Sequence, residues 1–441
     1  MNNTFKSLSI DQLIETLGLT IKKDDTNKLV TFLGLLSAYT ENSQFNISFN
    51  APSSTGKSYI GIELSFLFPK EDVIKISYAS PTAFYHTGVW NNEKKILEVD
   101  LERKILIFLD QPHNQLLQRL RPLLSHDEKE IRSRITDKTE KYGIRTKEVV
   151  IRGFPSVTFC TAGLRIDEQE ATRMFLLSPE ISQEKIKEAI DTKISKEADP
   201  ESFRKWLNEN SERQLLIERI QAIKSENITE IKIGSSRKLA DAFYHRNAAL
   251  KPKHARDIGR ICSLIKVLAL LNLWFREKDE STIIANDNDI QNALDLWDNI
   301  SESQEYNLPP YVYDFHKNIL VPLFNEKNSE SDSVLGKQGL TKQEILQKHY
   351  QAYGRYLPDW QFRQEIVPML ETAGLLTQEK DDLIDKRKIL YYPTVPLTIH
   401  QDTNNSESEG VVNEIDSDKE LFLDAVESTL AEGSNANSRR S

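Results

Sequence analysis

Eight consecutive residues, Ala51-Pro52-Ser53-Ser54-Thr55-Gly56-Lys57-Ser58, hold the clearest chemistry in this sequence. Small residues let backbone N–H groups turn toward one point, Lys57 adds a positive charge, and Ser58 adds a hydroxyl. That order suits a phosphate: the amides and a following helix start cradle it, Lys57 reaches the outer oxygens, and Ser58 ligates Mg²⁺. Ala51 stands where such loops usually begin with glycine. The alternative is a surface turn that matches by chance. The flanks argue against it, because FNISFN before the loop reads as a strand and YIGIELSFLF after it as a helix.

A second acid belongs with such a loop. KILIFLD ends at Asp110, and a carboxylate at the tip of a buried strand can hold Mg²⁺ through water. The alternative is an aspartate that caps the next helix. Gln111 follows where a glutamate is usual in ATPases of this kind. An amide orients water but takes no proton from it, so either a nearby carboxylate (Asp127, Glu128) helps, hydrolysis is slow, or orientation suffices.

These groups need a frame. FNISFN, VIKISYA, KILIFLD and SVTFCTA alternate with helix signals, which implies an α/β fold with a parallel sheet covered on both faces. Ser9 or Asp11 can cap a first short helix and Asp25 a second. Residues 183–325 read as helical. Residues 340–398 form a separate α+β unit: Thr341 caps KQEILQKHY, a second helix ends near Gly374, and LLTQEK with KRKILYYPTV makes a hairpin, the pattern of a winged helix. The expected divisions are 1–28, 29–182, 183–325, 340–398 and an acidic, disordered tail at 399–441. There is no internal repeat.

Composition narrows the function classes. Of 441 residues 39% are hydrophobic, so the chain has cores to bury. The net charge of −10 does not exclude nucleic acid, because residues 401–441 alone carry ten acids and three bases, leaving the other 400 residues at −3. The longest apolar stretch, Ile261 to Phe275, contains Ser263 and Lys266 and is too short to span a membrane. The N-terminus has no signal-peptide pattern, so a cytoplasmic location is expected. Cys160 and Cys262 read as small buried residues in a reducing compartment. The histidines show no metal spacing, and His86 reads as structural.

Residues 129–152 carry eight bases and four acids. EIRSRIT and IRTKEVVIR read as two strands joined by a turn near Lys141-Tyr142-Gly143. Arg132, Arg134, Lys138, Lys141, Arg145 and Lys147 would follow a nucleic-acid backbone; otherwise this is a solvated hairpin. In the unit after 340, bases and acids balance. Arg363 and Lys386 to Lys388 would touch phosphates, or the unit makes protein contacts only. Trp360, Phe362, Tyr391 and Tyr392 read as core. In the tail, Leu421, Phe422, Leu423 and Val426 share one helical face that docks a partner, shields the hairpin, or serves solubility.

Taken in order, the loop at 51–58, Asp110, SVTFCTAG and EATRMFLLSPE resemble the AAA+ ATPases. The nearest group is the helicase-like ATPases of phages and mobile elements, primase-associated and related to the minichromosome-maintenance helicases. The resemblance covers about residues 29–300. It implies ATP and Mg²⁺ as cofactors and a helical lid after the sheet. It gives Thr161 a sensor place at the γ-phosphate, Arg173 the place of an arginine finger supplied across a subunit interface, and Arg256 the sensor arginine of the lid, with Arg260 as a rival. Each has a plainer alternative: a backbone-satisfied threonine, or a surface salt bridge from Arg173 to Glu168 or Glu170. The resemblance also implies a homo-oligomer, a hexameric ring, with the basic hairpins in its pore, DNA as the track, and a replication protein as a partner. The leading expectation is a ring-forming replicative helicase. The other is a slow ATP-switched loader or regulator.

Overall fold

A computed structural model describes residues 5–394, other than 78, 81–83, 85–87, 111, 113, 138–144, 162–163, 165–171, 248, 330–337 and 382–384. The expected acidic tail, Gln111, His86, Lys138 and Lys141 therefore lie outside the described residues. Residues up to Val395 cluster into one compact unit.

The strands up to residue 177 are β1 (Asn46–Asn50), β2 (Val73–Ile76), β3 (Val89–Asn91), β4 (Ile96–Asp100), β5 (Ile105–Phe108), β6 (Glu130–Asp137), β7 (Arg145–Arg152), β8 (Ser156–Thr161) and β9 (Met174–Leu177). Five of them form a parallel sheet in the order β2-β5-β8-β1-β9. The inner strands are buried along their whole length, which is why their sequences run apolar without alternation. Alternation is still present in space. Ile47, Phe49, Ile105 and Ile107 enter one core, while Leu106, Phe108, Val157 and Phe159 enter another on the opposite face.

Helices α1 (Ile10–Leu17), α2 (Asp25–Leu36), α3 (Lys57–Ser65) and α4 (Asn114–Leu124) belong to the same part of the chain. Ser9 caps α1 in a reciprocal box with Gln12. The second cap differs from expectation. Asp25 is already helical, and Asp24 before it is left-handed and caps nothing. Its buried carboxylate instead accepts from Asn27, the Glu180 N–H and Lys185. Helix α2 is buried on nearly every side, as an apolar helix between sheet and helices must be. Gly34 makes that approach possible, since a Cβ there would lie 2.5 Å from Ile47 Cδ1.

A second sheet, β3-β4-β7-β6, carries the basic hairpin. Next come α5 (Gln183–Ala198), α6 (Pro200–Glu209), α7 (Ser211–Ser225), α8 (Ser236–Arg246), α9 (His254–Leu271) and α10 (Asp287–Glu305). This region was expected to be all helical. It also holds a small sheet, β10 (Glu230–Ile233), β11 (Glu277–Asp279) and β12 (Thr282–Ala285), in the order β10-β12-β11. Helix α9 lies in the main core, and among the described residues no helix is long and apolar enough to cross a membrane.

The remaining elements are α11 (Pro310–Phe315), α12 (Val321–Asn328), β13 (Leu340–Thr341), α13 (Lys342–Tyr353), a helical stretch from Asp359 to Thr372, β14 (Leu376–Asp381) and β15 (Asp385–Pro393). Thr341 caps α13 in a box with Glu344. The strands pair in the order β13-β15-β14. One hydrophobic cluster joins Tyr311, Phe315 and Phe324 to Ile345, Phe362 and Tyr391, so this core reaches back to Leu308. Phe362 and Tyr391 are buried and Tyr392 packs against them, whereas Trp360 is 54% exposed and is not core.

Candidate functional site at the carboxyl rim of the sheet

In a parallel sheet, ligands sit beyond the carboxyl ends of the strands, where the chain leaves neighbouring strands in opposite directions. Strand β1 ends at such a point: the chain goes from it to β2 on one side, while β9 lies on the other. Loop 51–56 emerges there and leads into α3 at Lys57. Ser54 and Gly56 take φ of +66° and +94°. Nothing lies within 4 Å of a Cβ built on Gly56, so conformation and not space selects glycine. No side chain caps α3. The first-turn N–H groups of a helix have no intrahelical acceptor, so those of α3 are available at the loop.

The Lys57 side chain folds back over this loop. Its Nζ donates to the carbonyl oxygens of Ala51 (2.7 Å) and Pro52 (2.8 Å) and is buried. Burial holds the ammonium pKa below its usual value; the positive charge of Arg355 adds to this, and Asp110 opposes it. Beside it, burial pushes the Cys160 thiol up to about 11, against a hydrogen bond with Ser58 and the charge of Lys57. Cys160 is therefore a neutral thiol packed under Ser58.

Register places the other residues. Asn50 pairs with Thr161, and Ser48 with Phe159, which in turn pairs with Phe108. Asp110, two residues past Phe108, is thus level with Thr161 and Asn50 on the same rim. Strand spacing puts its Cα roughly 10 Å from that of Asn50. Asp110 is exposed, while Thr161 is buried. The structure so brings together the loop, Lys57, Ser58, Asp110 and Thr161.

It does not bring Arg173 or Arg256 there. Arg173 precedes β9, whose Met174 is level with Asn46 at the opposite end of β1. Five residue steps of strand separate that level from Ala51, roughly 17 Å. Arg256 Nη1 donates to Thr172 Oγ1 at 2.6 Å, so it shares the Arg173 end. Its rival Arg260 packs over the Phe175 ring, near Asp257 and Gln304.

The hairpin forms as expected, with Arg134 opposite Glu148 and Ile131 opposite Ile151. Its charges are more balanced than the sequence implies. Arg132 pairs with Glu130 and Glu148, and Arg152 with Glu130 and Glu98. Lys147 lies 5.8 Å from the Trp90 ring centre. The turn with Lys138 and Lys141 and the Arg145 side chain lie outside what is described.

A cavity of about 850 Å³ adjoins the loop. Ser53 to Gly56, Ile21 and Tyr59, Ile186 and Ile190 of α5, and Tyr311, His349 and Arg355 line it. Tyr59 is anchored by its hydroxyl to the Thr20 carbonyl at 2.9 Å. Arg355, one of the bases of the unit after residue 340, donates from Nη1 to the Ser53 carbonyl at 2.6 Å. The two residues are 302 positions apart, and no local pattern signals the contact.

No family model and no curated protein matches the chain. Among solved structures it is similar to one described as "SCCmec type IV Cch - active helicase", with TM-score 0.32 and 12% identity over 89% of this chain and 71% of that one. It is also similar to "The A form apo structure of NrS-1 C terminal region-CTR", with TM-score 0.25 and 13% identity over 89% of this chain and 80% of that one. Both likenesses are remote and weak.

Proposed function

We propose that this chain is an ATP hydrolase of the AAA+ type whose nucleotide cycle drives movement on DNA, and that it works as a homo-oligomeric ring. The supporting observation is the shared rim: loop 51–58, Asp110 and Thr161 lie at one level, and a cavity large enough for a nucleotide adjoins Ser53 to Gly56 of the loop. The loop amides and the α3 start would hold the β- and γ-phosphates, and Lys57 would leave its two carbonyls for phosphate oxygens. Ile21, Tyr59 and Ile186 offer apolar surface for the base.

Mg²⁺, when bound, would neutralise charge on the transferring phosphoryl group. The donor set fits it. Ser58 and Asp110 are oxygen donors, and among the described residues no group of three or more His, Cys, Asp or Glu gathers into a cage. Magnesium is usually held by one or two protein oxygens together with substrate phosphates and water. Thr161 and Gln111 would orient the attacking water, and Arg173 would serve a neighbour's site. Residues 29–182 would be the ATPase core, 183–325 the lid, and the core from Leu308 onward a winged helix that meets DNA or a replication protein.

One observation favours a second reading, a slow ATP-switched loader or regulator. Arg132 and Arg152 are already paired with acids, which leaves less free positive charge for DNA on the described part of the hairpin.

ATP turnover and strand displacement on a forked duplex test both, with wild type and Asp110→Asn. The motor reading expects Mg²⁺-dependent turnover stimulated by single-stranded DNA, opening of the fork, and a loss on the order of 100-fold in Asp110→Asn with ATP still bound. ATP-dependent assembly without fork opening selects the loader. Absence of nucleotide binding removes both.

A further inference from the structure

Two cations converge on one loop, and among the described residues neither has a carboxylate within ion-pair distance. Lys57 is bonded to the carbonyls of Ala51 and Pro52, and Arg355 to that of Ser53. Among the described residues no carboxylate lies within ion-pair distance of Arg355. Asp24, an acid of the cavity wall, is occupied by Lys185. Carbonyl oxygens satisfy donors but do not neutralise them. A loop that gathers positive charge around backbone carbonyls is complete only with an anion.

Arg355 is also held from behind. His349 Nδ1 lies 3.1 Å from the Arg355 carbonyl oxygen, and its Nε2 lies 2.9 Å from the Tyr311 hydroxyl. A carbonyl only accepts, so Nδ1 carries the proton; in the neutral ring Nε2 then accepts from Tyr311. The Tyr311 backbone N–H donates to Ser178 Oγ at 3.0 Å, and Ser178 Oγ donates to the Asn50 carbonyl at 2.7 Å. The path closes on itself. It leaves the end of β1 at Asn50, passes through Ser178, Tyr311, His349 and Arg355, and returns to the loop at Ser53. Tyr311 and His349 are buried, so the Tyr311–His349 link is shielded from water, while the Arg355–Ser53 bond at the loop is exposed.

We propose that Arg355 is a phosphate-contacting residue supplied by the subunit's own C-terminal helices, and that it distinguishes a nucleoside triphosphate from a diphosphate. Its Nη1 donates to the Ser53 carbonyl. A terminal phosphate offers a charged, bidentate acceptor in place of a neutral one, and the guanidinium transfers to it. Because Arg355 follows α13 and is tied through His349 to Tyr311 of α11, the transfer pulls on both helices. The nucleotide state thereby reaches the core that begins at Leu308. This rests on the nucleotide reading above and adds to it the residue that reads the third phosphate.

Fluorescent ATP and ADP analogues titrated into the full chain test it, comparing wild type, Lys57→Ala, Arg355→Ala and Arg355→Gln. Glutamine keeps a donor for Ser53 but no charge, so it separates folding from phosphate recognition. The expected result is a loss of tenfold or more in ATP affinity for both Arg355 variants, with ADP affinity within twofold of wild type. Hydrogen exchange over residues 342–353 should slow with a non-hydrolysable ATP analogue in wild type and not in Arg355→Gln. Equal losses for ATP and ADP, or no loss, overturn the proposal while the nucleotide reading stands. Unchanged binding by Lys57→Ala, or no binding by wild type, overturns the nucleotide reading and this proposal with it.

Discussion

Lys57→Met separates what this side chain does for the fold from what it would do for a ligand. The ammonium makes two charge-assisted bonds to carbonyls. Such bonds contribute roughly 1.5–3 kcal/mol each. Against them stands the burial of a charge, several kcal/mol in a protein interior. Burial leads the causes that lower the Lys57 pKa, so the environment already disfavours the ion. The two contributions nearly cancel, and methionine fills the same space without either. Empty Lys57→Met should therefore melt within about 2 °C of wild type, a change of order 1 kcal/mol or less. The ligand side has no such cancellation. A unit charge about 4 Å from a phosphate oxygen at an effective dielectric of about 20 is worth roughly 4 kcal/mol, or about a thousandfold in affinity. Thermal melts of the empty protein and equilibrium ATP titration measure the two sides. If the variant binds ATP within tenfold of wild type, or if the empty variant melts far lower, Lys57 is a structural tie and the phosphate assignment is wrong.

Two further outcomes follow from the packing. His126 and His349 have their pKa pushed down to about 4 by burial. Both therefore bind protons more weakly folded than unfolded; their stabilisation is complete above about pH 6.5 and is lost as pH falls from there through about 4, roughly 2 kcal/mol per histidine by pH 5. Urea midpoints at pH 7.5 and 5 should show a smaller drop for His349→Gln than for wild type, and equal drops would contradict the assignment. Gln304 donates from Nε2 to the Leu176 carbonyl (2.7 Å), and its Oε1 accepts from the Leu176 N–H (3.3 Å), so it closes the free edge of β9. Gln304→Leu should lower stability by roughly 2–4 kcal/mol in urea unfolding, since both strand groups become buried without partners; a loss under about 1 kcal/mol would mean the edge finds water instead.

What could be read in advance follows contiguity. The loop is legible because eight neighbouring residues carry it and strand and helix flank it directly. The Ser9 and Thr341 caps and the β6–β7 pairing are local in the same way. Asp24 escaped, and Asp25 was read as the cap instead, because the partners of Asp24, Glu180 and Lys185, are far along the chain and make it a buried tie. Arg256 was assigned to the loop on its place in the order of motifs, yet its position depends on how α9 docks, which the order does not contain. Trp360 was grouped with Phe362 by residue type. Two residues apart on a helix, they cannot share a face, and only Phe362, in step with Ile366 and Leu370, turns inward. The strands β10 to β12 are only three or four residues long, β10 alternates charged with apolar residues and pairs with β12 across 52 positions, and β11 is wholly charged, so no apolar run marks them.

The sheet sets two arginine systems at its two ends, and their separation constrains how a ring would work. Arg355 reaches its own subunit's loop. Arg173, with Arg256 holding the neighbouring Thr172, stands at the far end of β9, beyond the reach of any side chain to that loop. On the proposed reading, Arg173 meets a triphosphate only when a second copy presents its rim to the first copy's opposite end. Such a contact joins unlike surfaces, and its repetition closes into a ring when the rotation allows. The two arginines then differ in a measurable way. Loss of Arg355 acts at any protein concentration, because its site is complete within one chain. Loss of Arg173 leaves nucleotide affinity untouched and removes turnover only where subunits assemble, so activity plotted against protein concentration tells them apart.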